Sequence, residues 1–110
     1  MKLSKISIVI PLFNEKTTIL KILKRVGEAK IGQIRKEIII VDDGSSDGTR
    51  QILKKLKGRK NYKIYYHSKN KGKGAALKTG FFHTTGEVVI VQDADLEYSP
   101  TDYPLLLAPF

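Results

Sequence analysis

The sequence predicts an α/β domain, a mostly parallel sheet with helices on both faces. Three observations lead there. Short β-branched runs alternate with longer stretches of helical periodicity. The run Ile38-Ile39-Ile40-Val41 has no polar face, as a strand buried between two helical layers requires. Turns rich in Gly, Asp and Asn follow the runs, where helical crossovers begin.

Ile6, Ile8, Val9 and Ile10 predict a first strand ended by Pro11. From Glu15 to about Lys30 the period becomes helical, with Ile19, Ile22, Leu23 and Val26 at i, i+3, i+4 and i+7 and Asn14 as N-cap. The second strand is Ile38–Val41, and a turn-rich loop, Asp42–Gly48, leads into a helix that buries Ile52, Leu53 and Leu56 and stops at Gly58. Lys63–His67 is the third strand and Ser68–Gly74 a basic loop. A third helix runs from Ala75 to about Thr84, and Glu87–Gln92 is the fourth strand. Ser99-Pro100-Thr101-Asp102 matches a capping box with proline at the first helical position, so a last helix is expected there. Its apolar start has no polar finish, so the chain reads as a domain cut short.

The 110 residues suit one domain, expected over 1–110, and the absence of cysteine excludes disulfide scaffolds, zinc fingers and cysteine nucleophiles. The net charge is +9, unevenly spread. All 20 basic residues lie at or before Lys78, against 6 acidic groups there; the remainder holds 5 acidic groups and no base. Such a basic segment suits a solvated face, an anionic membrane surface or nucleic acid. Tyr62, Tyr65, Tyr66, Phe81 and Phe82 interleave with lysines, but no RNA-binding motif accompanies them, and strand and helix core accounts for them. No specific nucleic-acid partner is expected. No apolar run approaches the ~20 residues of a membrane span, and Asn14-Glu15-Lys16 follows the first run where a signal peptide would have small residues. The expected location is cytoplasmic, with contact at the cytoplasmic face of a membrane left open.

Open α/β sheets bind ligands at the carboxyl ends of their strands. Pro11-Leu12-Phe13-Asn14-Glu15, Asp42-Asp43-Gly44 and Asp93-Ala94-Asp95 each follow a strand, so carboxylates gather at that edge. Asp93 and Asp95 face one side of an extended chain and suit either Mg²⁺ or Mn²⁺ shared with a substrate diphosphate or a solvated acidic turn. An EF-hand is excluded, because Tyr98 stands where that loop needs glycine. Asp42 and Asp43 suit either hydrogen bonds to a nucleoside or local capping of the next helix. Asn70-Lys71-Gly72-Lys73-Gly74 reads as a phosphate-binding turn at a helix start. It is not a dinucleotide fingerprint, since Leu77 holds the third glycine position, and no Walker A sequence occurs. His67 and His83 lack metal-ligand spacing and read as packing or surface residues.

Taken in order, Ile8–Glu15, Ile40–Thr49, Asn70–Ala76 and Gln92–Tyr98 resemble a family 2 glycosyltransferase with a GT-A fold, a Rossmann-like nucleotide-sugar-binding architecture. The segments Gly72–Ala76 and Gln92–Tyr98 look closest to the dolichyl-phosphate mannose synthase branch and its polyprenyl-phosphate glycosyltransferase relatives. The resemblance implies that Pro11, Phe13 and Glu15 line the base and ribose pocket, with Phe13 where the family usually has Tyr. It implies that Val41 and Asp43 contact the nucleoside with Asp42 close by, and that Lys73 approaches the diphosphate. Asp93, Ala94 and Asp95 would form the metal and nucleotide-sugar site, with Glu97 at its margin; Asp95 would assist catalysis through the metal. The implied reaction is inverting hexose transfer from GDP-mannose or UDP-glucose to a polyprenyl or dolichyl phosphate, or to a glycan. Family members are longer, and their second half builds the acceptor side. The competing expectations are a non-catalytic nucleotide-binding or interaction module and, behind it, a basic nucleic-acid-binding module.

Overall fold

The computed structural model describes residues 4–28, 32–59 and 62–93. Strands β1 (Lys5–Leu12), β2 (Arg35–Asp42), β3 (Tyr62–Tyr66) and β4 (Val88–Val91) alternate with helices α1 (Ile19–Glu28), α2 (Thr49–Lys55) and α3 (Lys73–Phe82). The sheet order is β3-β2-β1-β4, and every pair is parallel. The expected class and architecture are therefore present. The expected helix over Ser99–Asp102 lies outside the described residues. Among the described residues no helix is long and apolar enough to cross a membrane.

Alternation along the strands divides the core. Ile6, Ile8, Ile10 and Leu12 of β1 join Ile38 and Ile40 of β2, the apolar stripe of α1 and Leu53 of α2 in one buried cluster. Val9, Ile39 and Val41 point to the opposite face and pack with Ala76 of α3. The chain steps outward from β1 to β3 with α1 and α2 on one face, then returns with α3 on the other to place β4 beside β1, the arrangement that the right-handed crossover rule requires. The order of the strands reverses between β1 and β4, and the carboxyl ends at such a point are where open sheets take ligands.

Several element boundaries differ from expectation. Strand β1 continues through Pro11 to Leu12. Odd-numbered residues of β1 face β4, as the bond from Gln92 N to Val9 O shows, but β4 pairs only as far as Val9. Proline's missing N–H therefore falls beyond the end of β4 and interrupts no ladder. Asn14 is not the N-cap of α1. It adopts a left-handed conformation (φ 53°), and α1 starts at Ile19 after a turn closed by Glu15 O. Its groups serve the β2–α2 loop instead: its N–H donates to Ser45 Oγ (2.8 Å) and its Oδ1 accepts from Ser46 N (2.8 Å). Helix α3 begins two residues early, at Lys73.

Gly80 sets how closely α3 lies on the sheet. A Cβ there would sit 2.4 Å from Val9 Cγ1, inside any permitted contact. At the amino edge, the side chain of Glu37 is 3% exposed and joins three strands. It accepts from Ser7 Oγ (2.5 Å), from Thr85 N (2.9 Å) and from Thr85 Oγ1 (2.9 Å), and it pairs with the Lys63 ammonium. Burial alone would raise its pKa, but the bonds from Lys63, Ser7 and Thr85 outweigh that and lower it to about 2.

Two outcomes follow. Gly80→Ala should destabilise the chain by about 1–3 kcal/mol through overpacking. Gly74→Ala, where a Cβ meets nothing within 4 Å, should be neutral or slightly stabilising in the same urea titration. Glu37→Gln should cost on the order of 2–3 kcal/mol at neutral pH. The wild-type carboxylate is depressed from 4.5 to about 2, so its contribution is full above the first value and lost as pH falls through the second. The gap between the two proteins in urea should accordingly close near pH 2, and a gap that stays constant would refute this role.

Candidate functional site

A cavity of about 300 Å³ opens at the carboxyl edge of the sheet. Pro11, Leu12, Phe13 and Glu15 enter it from the end of β1, and Asp43 from the end of β2. Asn70, Gly72, Lys73 and Ala76 come from the β3–α3 turn and the start of α3, and Asp93 from just beyond β4. Six of the sequence-predicted residues are thus brought together: Pro11, Phe13, Glu15, Asp43, Lys73 and Asp93. Val41 and Asp42 are placed off this lining. Val41 lies in the core beneath α3 beside Ala76. Asp42 is fully buried, and its Oδ2 accepts from Arg50 Nε of α2 (3.0 Å). Its Oδ1 has no partner among the described residues. Ala94, Asp95 and Glu97 lie outside the described residues, so their expected placement is not part of this geometry.

The Asp43 carboxylate organises the cavity. Its Oδ1 accepts from Lys71 N (2.9 Å) and meets His67 Nδ1 (2.7 Å), while its Oδ2 accepts from Gly72 N (2.8 Å). Burial pushes its pKa up, but the His67 bond and the two backbone N–H groups override this and hold it below the ordinary value. Two amides of the expected phosphate turn therefore bind a protein carboxylate. The turn supplies shape, and Lys73 at the first position of α3 supplies charge. Gly44 makes the fit possible: at φ 77° it stacks its backbone on the Lys69–Asn70 peptide, where a Cβ would come within 2.5 Å of Asn70 N.

Lys73 Nζ bridges the cavity to Asp93 Oδ1 at 2.6 Å, with side chains 59% and 16% exposed. Glu15, Asp43 and Asp93 share one lining, so a phosphorylated ligand needs cations there. Among the described residues no three His, Asp or Glu side chains converge as a metal cage. Mg²⁺ and Mn²⁺ need none, since one or two carboxylates plus substrate phosphates complete their shell. Asp93 places one such carboxylate beside the cavity, where its Oδ1 is paired with Lys73 Nζ. The β2–α2 loop is also capped locally, because Asp47 Oδ1 accepts from Thr49 N (3.0 Å).

Sequence reasoning missed His67, which does not line this cavity but supports Asp43 from behind it. It is 9% exposed and its ring joins Asp43 to α3. The available signal was positional: His67 follows β3 as Asp43 follows β2, and His67 N donates to Asp42 O (2.8 Å) across the two strand ends.

The fold is similar to that of several solved structures. S. aureus TarS 1-349 in complex with UDP-GlcNAc is similar over 96% of this chain, with 26% identity and a TM-score of 0.79. A mannosyltransferase, PcManGT from Pyrobaculum calidifontis, in complex with GDP-Man and Mn2+, is similar over 93% of the chain, with 26% identity and a TM-score of 0.79. S. aureus TarS is similar over 83%, with 28% identity and a TM-score of 0.72. The chain spans only 30%, 30% and 16% of those structures, respectively. The four-stranded parallel sheet with helices on both faces is thus a GT-A-like fold. The sequence model described as "Glycosyl transferase family 2" matches residues 7–110, and the chain belongs to that family.

Proposed function

We propose that residues 1–110 form the donor-binding part of an inverting, metal-assisted hexosyltransferase. The observation that carries this reading is the single cavity edge on which Pro11, Phe13, Glu15, Asp43, Lys73 and Asp93 meet. Phe13, 43% exposed, offers a face for stacking a base, and Glu15 offers an acceptor for ribose hydroxyls. Lys73 pairs with the diphosphate. Asp93, with Asp95 two residues on in the sequence, would hold Mg²⁺ or Mn²⁺. Support for the donor class comes from the similar structures, which bind UDP-GlcNAc or GDP-Man, the latter with Mn2+. On this chain GDP-mannose and UDP-glucose are the proposed donors.

The acceptor we propose is a polyprenyl or dolichyl phosphate, as in the dolichyl-phosphate mannose synthase branch, with a glycan as the other candidate. A phosphate oxygen of the acceptor attacks the anomeric carbon. The bond from that carbon to the donor β-phosphate oxygen breaks, its electron pair leaves with the nucleoside diphosphate, and the configuration inverts. A lipid phosphate is already anionic near neutral pH, so this attack needs no general base. A divalent ion held by Asp93 and Asp95 would supply positive charge against the charge that develops on the leaving diphosphate. A cytoplasmic location at the membrane face, aided by the basic segment before residue 79, follows from the same reading.

Calorimetric titration of GDP-mannose and UDP-glucose, with and without Mn²⁺, tests the donor assignment. One of the two should bind, more tightly with metal. Asp93→Asn should remove most of the metal dependence while leaving the melting temperature nearly unchanged. Lys73→Ala should weaken donor binding about tenfold, the loss of one charge-assisted contact. No metal-dependent binding of either donor to folded protein would overturn the proposal.

A further inference from the structure

We propose that His67 is a positioning residue of the donor site, locking the Lys71–Lys73 turn and the start of α3 into the conformation that presents Lys73. This rests on the donor-binding reading above.

The backbone of His67 is fixed from two sides. Its N–H donates to Asp42 O of β2 (2.8 Å), and its carbonyl accepts from the guanidinium of Arg50 on α2. Arg50 is itself held by Asp42 Oδ2 (3.0 Å) and lies 5.1 Å over the Tyr66 ring. The ring thus projects from an anchored base toward the opposite face of the sheet. There Nδ1 meets Asp43 Oδ1 (2.7 Å) and Nε2 meets Thr79 Oγ1 of α3 (2.8 Å).

Asp43, kept ionised, can only accept, so the proton of that bond sits on Nδ1. A neutral ring then accepts the Thr79 hydroxyl at Nε2, and a protonated ring donates to the same oxygen. Either state keeps the bridge. The carboxylate so oriented takes the Lys71 and Gly72 amides (2.9 and 2.8 Å), and the next residue is Lys73. Thr79 lies six residues along α3 from Lys73, about 9 Å along the axis, and Gly80 beside it touches Val9. With Gly80 fixing how closely α3 lies on the sheet, the ring ties α3 to the residue that follows β2. A ring that packed only for bulk would need neither polar contact. Here both nitrogens are used, each on a different element.

The test compares His67→Ala, His67→Asn and Thr79→Val by calorimetry with GDP and UDP in the presence of Mg²⁺. Amide spectra of the unliganded proteins follow Lys71 and Gly72. Asparagine restores a donor at the position of Nδ1. His67→Ala should weaken nucleotide binding about tenfold and shift the Lys71 and Gly72 amide resonances, while His67→Asn stays within about threefold of wild type. Thr79→Val, which removes one hydroxyl, should weaken binding about threefold with an unchanged melting temperature. If His67→Ala fails to fold, His67→Asn and Thr79→Val carry the test. Wild-type affinity in Thr79→Val or in folded His67→Ala overturns the inference, as does a His67→Asn as weak as the alanine variant. Wild-type protein that binds neither nucleotide overturns the donor-binding reading itself, and the positioning role falls with it.

Discussion

The carboxyl edge of this sheet depends on one buried carboxylate. Asp43 collects two backbone amides and an imidazole in a place that is 3% exposed. Burying that charge without those donors would be strongly unfavourable, so the β3–α3 turn and His67 are as necessary to Asp43 as it is to them. The consequence is a turn whose shape is set by the protein before any ligand arrives. Its charged group, Lys73, faces Asp93 across the cavity. Preorganisation of this kind lowers the ordering that a bound nucleotide must impose.

The two edges of the sheet use buried carboxylates differently. Glu37 at the amino edge is consumed by Ser7, Lys63 and Thr85 and ties strands together. Asp43 at the carboxyl edge ties loops together and still lines a cavity. Between them the hydrophobic layers are nearly all β-branched or leucine, and Gly80 lets α3 approach the sheet. Strand-tying bonds lie at one end and the polar cavity at the other, where parallel strands all deliver their carboxyl ends.

Much of this was legible in the sequence because parallel sheets convert chain order into position. Ile38–Val41 had no polar face and proved to be a central strand. Pro11, Asp43 and Asp93 stand at the ends of three strands that lie side by side, β2, β1 and β4, and meet in one cavity for that reason. What stayed hidden depends on partners distant along the chain. Asn14 satisfies the local rule for an N-cap, yet its side chain is taken by Ser46, 32 residues away. His67 has no spacing pattern, since its partners lie 24 and 12 residues away on different elements. Asp42 and Asp43 are adjacent and chemically identical, but the pleat turns one toward Arg50 and the other toward the cavity.

The central claim is that one cavity, held in shape by Asp43, receives the nucleotide-sugar. Mapping amide shifts of the 110-residue chain during titration with GDP-mannose or UDP-glucose and Mg²⁺ tests it most directly. The account predicts perturbations at Leu12–Glu15, at Lys71–Ala76 and at Asp93, with the α1 and α2 face silent. Perturbations confined to that silent face, or none at saturating donor, would contradict it.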